Sequence, residues 1–371
     1  MIPLVDLKKQ YYSIKKEIDS SISEILENTA FIKGKSVENF EKTFALMHNV
    51  KHCIGVGNGT DALIISLKAL GIGSGDEVIV PANSFIASSE AVTAVGAKVV
   101  FADCHPDFYT VDIEEIKKNI TEKTKAVIVV HLYGQPAQME EILKISSEYN
   151  LKIIEDAAQA HLAEYKIDNK WAKVGKAGHF TTFSFYPGKN LGAYGDGGAI
   201  VTNDDNLAKL ARMYANHGRI AKYNHEMEGF NSRLDGIQAA VLNVKLNYIE
   251  EWSERRREIA NRYILGLSSC ENIILPALYS NSKAVWHLFV IRVKNRPELQ
   301  SYLKENGIST GIHYPIALPN LKAYEYLGYS AQDFPFASKY QNEILSLPIF
   351  PELENEEIDF ICNKITEFYN N

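Results

Sequence analysis

One lysine in this chain lies in a setting that suits covalent chemistry. Lys189 lies within residues 183–192 (FSFYPGKNLG), and a second glycine-rich stretch covers residues 195–198. Glycine and proline let the backbone turn tightly there and approach a ligand closely. A lysine that is partly removed from water loses its proton easily, which suits attack on an aldehyde. We predict that Lys189 forms a Schiff base with an aldehyde cofactor, although a Gly-Lys pair alone is typical of surface turns.

A second motif places a carboxylate where it could serve the same cofactor. The apolar run at residues 151–154 predicts a buried strand, and Asp156 follows at its carboxyl end, where open α/β sheets bind ligands. A carboxylate there can keep a pyridine nitrogen protonated, and Gln159 could donate to a hydroxyl on the ring. Taken alone, Asp156 is explained equally well as a helix cap. Together with Lys189, it favours a pyridine aldehyde.

A glycine-rich segment at residues 55–60 follows a predicted strand and opens a predicted helix. Free N–H groups and the helix dipole at such a point can hold a phosphate. Dinucleotide binding is a competing reading, but it requires an acidic residue at the end of the second strand. That strand, residues 78–80, is followed by Pro-Ala-Asn instead. We therefore predict a phosphate site and reject a dinucleotide site.

The elements that must position these groups follow from the alternation of short apolar runs and helical patterns. This alternation extends from His52 to Asp156, and two more strands are predicted at residues 180–185 and 198–202. Strands that alternate with helices predict parallel pairing and an α/β fold with helices on both faces of the sheet. We expect a mostly parallel, mixed sheet flanked by helices.

The texture of the sequence changes in its last third. Residues 233–264 predict one long helix, and the pattern beyond it predicts a smaller α+β domain. A chain of 371 residues is long enough for two domains. We therefore expect a large domain at residues 1–250 and a small C-terminal domain at residues 251–371.

Composition limits the possible partners. The net charge of −7 argues against nucleic-acid binding, which needs a basic face. None of the four cysteines has metal-ligand spacing, so we expect free thiols and no metal site. No apolar run reaches the roughly 20 residues of a membrane span, and the N-terminus lacks the apolar core of a signal peptide. We expect a cytoplasmic enzyme with no membrane partner.

These motifs, together with residues 2–7, 58–63 and 346–351, resemble the DegT/DnrJ/EryC1/StrS family of sugar aminotransferases along essentially the whole chain. The resemblance implies a pyridoxal 5′-phosphate (PLP) enzyme of the aspartate-aminotransferase fold, fold type I. It implies that Lys189 is the catalytic amine and that Asp156 binds the ring nitrogen. The further cofactor contacts that it implies are Gly59, Thr60, Phe85, Gln159, Ser184 and Asn231.

In this family the residue at the position of Asn231 reaches the cofactor phosphate of the neighbouring subunit. The resemblance therefore implies a homodimer with active sites shared across the interface. It also implies the reaction, in which L-glutamate gives its amino group to a keto sugar linked to a nucleotide diphosphate.

Two positions near the lysine bear on the sugar. With Tyr186 and Asp196 at these positions, the chain resembles family members that aminate carbon 3 of a dTDP-linked 3-keto-6-deoxyhexose. Such members serve surface glycan or glycoside synthesis. Members that act at carbon 4 more often have His and Glu there. The residues that the resemblance and their positions suggest for substrate contact are Tyr186, His313, Tyr314, Arg219 and Lys222, of which the last two would bind the diphosphate.

Two alternatives remain open at this point. A 4-keto nucleotide-sugar aminotransferase would share every cofactor residue. A PLP-dependent sugar dehydratase is less favoured, because such proteins replace the lysine with histidine and this chain has Lys189. Residues 162–174 also depart from the glycine-rich sequence of the family, and we predict a longer polar loop there.

Overall fold

The computed structural model describes residues 1–370, and Asn371, the last residue of the predicted small domain, lies outside the described residues. The strands are β1 (His52–Val56), β2 (Glu77–Pro81), β3 (Lys98–Ala102), β4 (Thr124–Val130), β5 (Lys152–Asp156), β6 (Glu164–Ile167), β7 (Lys170–Lys173), β8 (Phe180–Ser184), β9 (Gly198–Thr202), β10 (Arg219–Ala221), β11 (Asn224–His225), β12 (Ile273–Ile274), β13 (Ser282–Lys283), β14 (Phe289–Val293) and β15 (Ile344–Leu347). The α-helices are α1 (Leu7–Ser13), α2 (Lys15–Glu27), α3 (Lys35–His48), α4 (Gly59–Ala69), α5 (Ala87–Ala94), α6 (Ile113–Lys118), α7 (Met139–Tyr149), α8 (Asp205–Tyr214), α9 (Gly236–Leu246), α10 (Ile249–Leu267), α11 (Arg296–Glu305), α12 (Pro335–Glu343) and α13 (Asn355–Asn370).

A seven-stranded sheet in the order β1-β9-β8-β5-β4-β2-β3 forms the centre of the fold. Strands β3, β2, β4, β5 and β8 run parallel, whereas β9 is antiparallel to both of its neighbours. The parallel strands are almost wholly buried, and β2, β3 and β4 are mostly apolar, as expected when helices cover both faces of a sheet. The predicted mostly parallel, mixed α/β sheet is confirmed, and the carboxyl ends of β2, β4, β5 and β8 lie at one edge.

A second core lies in the C-terminal region. The small sheet β12-β14-β15 packs with α10, α11 and α13 around Tyr263, Phe289, Leu303 and Ile361. This separate core supports a domain boundary near residue 250, which stays a prediction. Residues 317–344 instead contribute side chains to the core of the large sheet, so the C-terminal region is also anchored on the large sheet.

Two local predictions are wrong. The helix predicted over residues 233–264 is two helices, because α9 ends at Leu246 and α10 begins at Ile249. Helix α9 packs against α2 and α3, whereas α10 packs against α13, so the break directs the chain from one core to the other. The loop predicted at residues 162–174 contains the hairpin β6–β7, which Tyr165 anchors in the core.

A fully buried carboxylate, Glu155, ties this hairpin to the central sheet. Its donors are Nε2 of His131 at 3.0 Å, the hydroxyls of Tyr165 and Thr181 at 3.0 Å, and the N–H of Gly178 at 2.7 Å. Burial alone would raise the pKa of Glu155, but His131 and the other donors hold it below its ordinary value. Glu155 therefore stays charged and connects β5 to the segments that contain His131, Tyr165, Gly178 and Thr181.

We expect Glu155→Ala to lower the free energy of unfolding by about 3–5 kcal/mol, since it leaves several buried donors without an acceptor. Chemical denaturation followed by circular dichroism measures this loss. The control is Glu254→Ala, which removes the exposed partner of Arg257 and should cost at most about 1 kcal/mol. Equal losses in the two variants would contradict the role given to Glu155.

Candidate active site

Parallel pairing of β5 with β8 brings together the two residues on which the predicted chemistry depends. Asp156 is the last residue of β5 and lies opposite Thr182 of β8. Lys189 follows β8 in a short loop, and the charge of Asp156 acts on its amine. The two side chains therefore lie near each other at the carboxyl edge of the sheet, where open α/β folds bind ligands.

The carboxylate of Asp156 is buried and has only neutral hydrogen-bond partners. Its Oδ2 accepts from the hydroxyl of Ser88 at 2.8 Å, and its Oδ1 accepts from the N–H of Ala158 at 3.2 Å. Burial raises the pKa of Asp156, and these donors offset the rise only in part. A buried carboxylate of this kind fits a ligand with a protonated ring nitrogen, which would supply the opposite charge.

The amine of Lys189 is in the opposite situation. Burial lowers its pKa to about 8, and the charge of Asp156 counteracts part of that shift. An ordinary lysine has a pKa of 10.5, so near neutral pH a much larger share of Lys189 is unprotonated. A neutral amine is the form that attacks a carbonyl carbon or takes up a proton.

The start of α4 and the end of β8 form a cradle suited to a phosphate. Asn58 caps α4 by accepting a hydrogen bond from the N–H of Asp61 at 2.8 Å, which leaves the first N–H groups of the helix, at Gly59 and Thr60, without helical partners. A Cβ on Gly59 would lie 2.8 Å from Cβ of Ser184. Glycine is thus required there, and the predicted phosphate contacts lie side by side.

Aromatic and amide groups border the space beside Asp156. The ring of Phe85 is 52% exposed and lies 5.5 Å from the ring of Tyr314. Gln159 accepts from the N–H of Tyr133 at 2.6 Å and donates through Nε2 to the hydroxyl of Tyr314 at 3.1 Å. These bonds fix the amide and leave one N–H of Gln159 for a ligand.

His313 and Tyr186 lie at the same pocket. Burial lowers the pKa of His313, and the charge of Lys189 lowers it further, so the imidazole is close to the amine. Its Nδ1 lies 2.8 Å from the hydroxyl of Ser346. Tyr186 is 60% exposed in the lysine loop. Both are available to a substrate that enters from solvent.

Three predicted residues form a separate group. Asn231 accepts a hydrogen bond from Arg233, and Arg219 and Lys222 belong to or adjoin β10. The latter two line a groove of about 750 Å³ together with other cations, which are Lys33, Lys209 and Arg212. Burial and the charges of Arg219, Arg233 and Arg212 lower the pKa of Lys33, so the groove is electropositive. Within residues 1–370 of a single chain, Asn231 makes no hydrogen bond to a residue beside Lys189.

Sequence reasoning missed several residues that support the site. Ser88 holds the carboxylate of Asp156, and Tyr133 fixes Gln159. Ser88 follows β2, whose carboxyl end lies at the ligand edge, so its position relative to the strand could have identified it. Tyr133 contributes its backbone N–H, for which no side-chain pattern exists. No group of three metal-ligating side chains is found within residues 1–370, and no helix in that range has the length and apolar character needed to cross a bilayer.

Comparison with known proteins gives consistent results. The model of the DegT/DnrJ/EryC1/StrS aminotransferase family matches residues 12–366. The dTDP-3-amino-3,6-dideoxy-alpha-D-galactopyranose transaminase of Aneurinibacillus thermoaerophilus is 45% identical over 368 residues, which cover 99% of both chains. The crystal structure of Streptomyces venezuelae DesV in complex with a ketimine intermediate superposes with a TM-score of 0.97 at 42% identity, covering 100% of this chain and 99% of that one.

A third relative bears on the cofactor. The structure of NtdA from Bacillus subtilis, solved with bound cofactor PMP, has a TM-score of 0.89 and 33% identity, and the match covers 97% of this chain and 82% of that one. PMP is the aminated form of PLP. The buried carboxylate of Asp156, the desolvated amine of Lys189 and the cradle at Gly59 fit the ring nitrogen, aldehyde and phosphate of PLP.

The family, the fold class, the enzyme class and the cofactor predicted from the sequence are thus confirmed. The match spans nearly the whole chain, and relatives above 30% identity extend over almost their full lengths. This chain belongs to the DegT/DnrJ/EryC1/StrS aminotransferase family.

Proposed function

We propose that this protein transfers an amino group from L-glutamate to a dTDP-linked 3-keto-6-deoxyhexose and gives a 3-amino-3,6-dideoxyhexose. The observation that carries the proposal is the proximity of the buried Lys189 amine and the buried Asp156 carboxylate at the ends of β8 and β5. The names of relatives that act at carbon 3 support the regiochemistry. The 4-keto and dehydratase alternatives are not favoured, because those relatives are named as transaminases of 3-amino sugars and this chain has Lys189.

Each part of the cofactor would have a partner in the pocket. Bound PLP supplies an aldehyde that exchanges for an amino group and a ring that stabilises negative charge on the reacting carbon. Asp156 would hold the proton on the ring nitrogen, and the free N–H of Gln159 would donate to the ring hydroxyl. Phe85 would cover one face of the ring. Gly59, Thr60 and Ser184 would bind the phosphate.

Lys189 would perform the proton transfer. With PLP bound, a free Nζ of Lys189 would take up the proton from the carbon of the amino donor, hold it, and then give it back as a general acid. A pKa of about 8 suits this exchange, because an efficient acid-base group titrates near the working pH. His313, Tyr314 and Tyr186 border the entrance and would contact the sugar.

A homodimer is part of the proposal. Four exposed apolar side chains lie in the cationic groove or within two residues of Lys33 or Asn231 in the chain: Phe31, Ile32, Ile220 and Phe230. Burial of such a patch against a second copy would be favourable. It would also present Asn231, Arg219 and Lys222 to the partner's pocket, where they would bind the cofactor phosphate and the substrate diphosphate. We further propose a cytoplasmic location, which the four free thiols support.

The first prediction from this proposed function concerns the reaction. The protein with PLP and L-glutamate should convert dTDP-3-keto-6-deoxyhexoses to 3-amino sugars, identified by mass spectrometry and NMR, with both carbon-4 configurations tested. Lys189→Ala should abolish turnover, because it removes the amine that would attach PLP and transfer the proton. The matched control is Lys152→Ala, a lysine at the other end of β5, which should react normally. Product from a 4-keto sugar alone would overturn the regiochemistry, and turnover by Lys189→Ala would overturn the mechanism.

The second prediction concerns pH. Attachment of PLP to Lys189 should accelerate with pH and level off above about pH 8, since burial lowers the pKa of the amine to about 8. In Asp156→Asn the midpoint should shift to lower pH, because Asp156 raises the pKa of Lys189. Borohydride trapping at timed intervals measures the rate, normalised to the reaction of N-acetyl-lysine. A rate that still climbs through pH 10 would contradict the described burial of the amine.

The third prediction tests the shared site. Lys189→Ala and Asn231→Ala homodimers should each be impaired, but co-expression should restore about a quarter of native activity, because half of the dimers would carry one intact site. The two chains carry different tags so that the mixed dimer can be purified and assayed. No recovery in that mixed dimer would show that Asn231 acts within its own subunit, and full activity of the Asn231→Ala homodimer would show that it does not act at all.

A further inference from the structure

A buried lysine outside the cofactor pocket contacts the loop that carries Lys189. Lys245 lies in α9 and is fully buried. Its Nζ donates to the carbonyl oxygen of Gly192 at 2.7 Å and lies 4.5 Å from the centre of the Tyr194 ring. The ammonium therefore contacts the lysine loop a few residues after Lys189, in the segment of residues 192–194, which we call the returning segment because it leads back to the sheet.

The path of that loop leaves little room for adjustment. Ala193 donates to the carbonyl of Phe185 at 2.7 Å, and Lys189 donates through its backbone N–H to Tyr186 at 2.8 Å. A Cβ on Gly192 would lie 2.2 Å from the carbonyl oxygen of Pro187. The backbone of Gly192 thus packs directly against that of Pro187 at the start of the loop. A change in the orientation of the Gly192 carbonyl would therefore move the backbone of residues 186–192.

The same helix holds the loop at a second point. Oε1 of Gln238 accepts a hydrogen bond from the N–H of Tyr194 at 2.9 Å. Gln238 and Lys245 are seven residues apart and therefore lie on one face of α9. That face forms hydrogen bonds to one carbonyl and one N–H of the returning segment, so α9 supports the loop.

Burial of the charged Lys245 side chain costs free energy, because its ammonium loses contact with water. Burial lowers the pKa of Lys245 to about 8, against the opposing charge of Glu352. Both carboxylate oxygens of Glu352 are buried and have no hydrogen-bond partner within residues 1–370, so the charge of Lys245 is only partly compensated. An apolar side chain of similar size would avoid this cost, but it could not bond to the Gly192 carbonyl.

We propose that Lys245 is a positioning residue for the transamination. It holds the returning segment at Gly192 and thereby keeps Nζ of Lys189 in position beside Asp156. The inference rests on the proposed function only in that Lys189 is the residue to which PLP attaches. A displacement of about 1 Å at a reacting group can cost 100-fold in rate. Loss of this contact should therefore affect chemistry at Lys189 more than binding of the nucleotide sugar.

The test compares Lys245→Met with Asn243→Leu. Asn243 lies on the same helix and donates to the carbonyl of Ser36 at 2.9 Å, away from the loop. Lys245→Met should slow PLP attachment, followed by borohydride trapping, by at least about tenfold and lower kcat similarly, with KM for the sugar changed less than about threefold. Asn243→Leu should leave the attachment rate within about threefold, even if its melting temperature falls equally.

Further variants keep the outcome interpretable. Lys245→Arg retains a charged donor and should attach PLP faster than Lys245→Met. If Lys245→Met does not fold, Lys245→Gln replaces it and should show the same slowing, because its amide is shorter and uncharged. A native rate in either variant, or equal slowing in Asn243→Leu, would overturn the inference. Absence of PLP attachment in the unaltered protein would instead refute the proposed function.

Discussion

The parallel pairing of β5 with β8 is the constraint on which the rest of the site depends. The N–H of Ala157 donates to the carbonyl of Thr182 at 2.8 Å, which extends the ladder to the very end of β5. The pairing fixes where Asp156 ends its strand and where the loop of Lys189 begins. Burial then pushes both groups toward their neutral forms, so a ligand that carries a positive ring nitrogen and an electrophilic carbon relieves both.

Two further buried charges support this edge of the sheet without reaching the ligand. Glu155 joins β5 to the hairpin β6–β7 and to β8, and Lys245 joins α9 to the lysine loop. Glu155 hydrogen-bonds to groups on several segments of the chain, and Lys245 bonds to one backbone carbonyl, which apolar side chains could not do. The chemical pocket is therefore backed by a polar layer whose function is to fix backbone, and its energetic cost is the desolvation of the ions.

Much of this architecture could be predicted from the sequence, because periodicity reports strands and motifs report strand ends. Lys189, Asp156 and Gly59 follow predicted strands and Ser184 lies near the end of one, and the order of the strands in the sheet brings them together. The break at Asn247 could not be predicted, because the helical pattern continues across it and only packing against two different cores separates α9 from α10.

Other features were beyond the sequence for different physical reasons. Each strand of the hairpin at residues 164–173 has only four residues, of which two are charged or polar, so the apolar pattern is too short to be told from a loop. The contact of Lys245 joins residues distant in the sequence through a backbone carbonyl, for which no side-chain pattern exists. The group around Asn231 would complete its site only against a second subunit, and a single sequence indicates such a contact only through family resemblance.

Adjacent carboxylates on β5 give that strand an unusual sensitivity to length. Side chains alternate between the two faces of a strand, and Glu155 bonds to the hairpin side while Asp156 bonds to Ser88. Deletion or insertion of one residue within the strand would exchange the two acids between its faces, so that each would meet the environment built for the other. Evolutionary drift in this segment should therefore proceed by replacement and not by change of length.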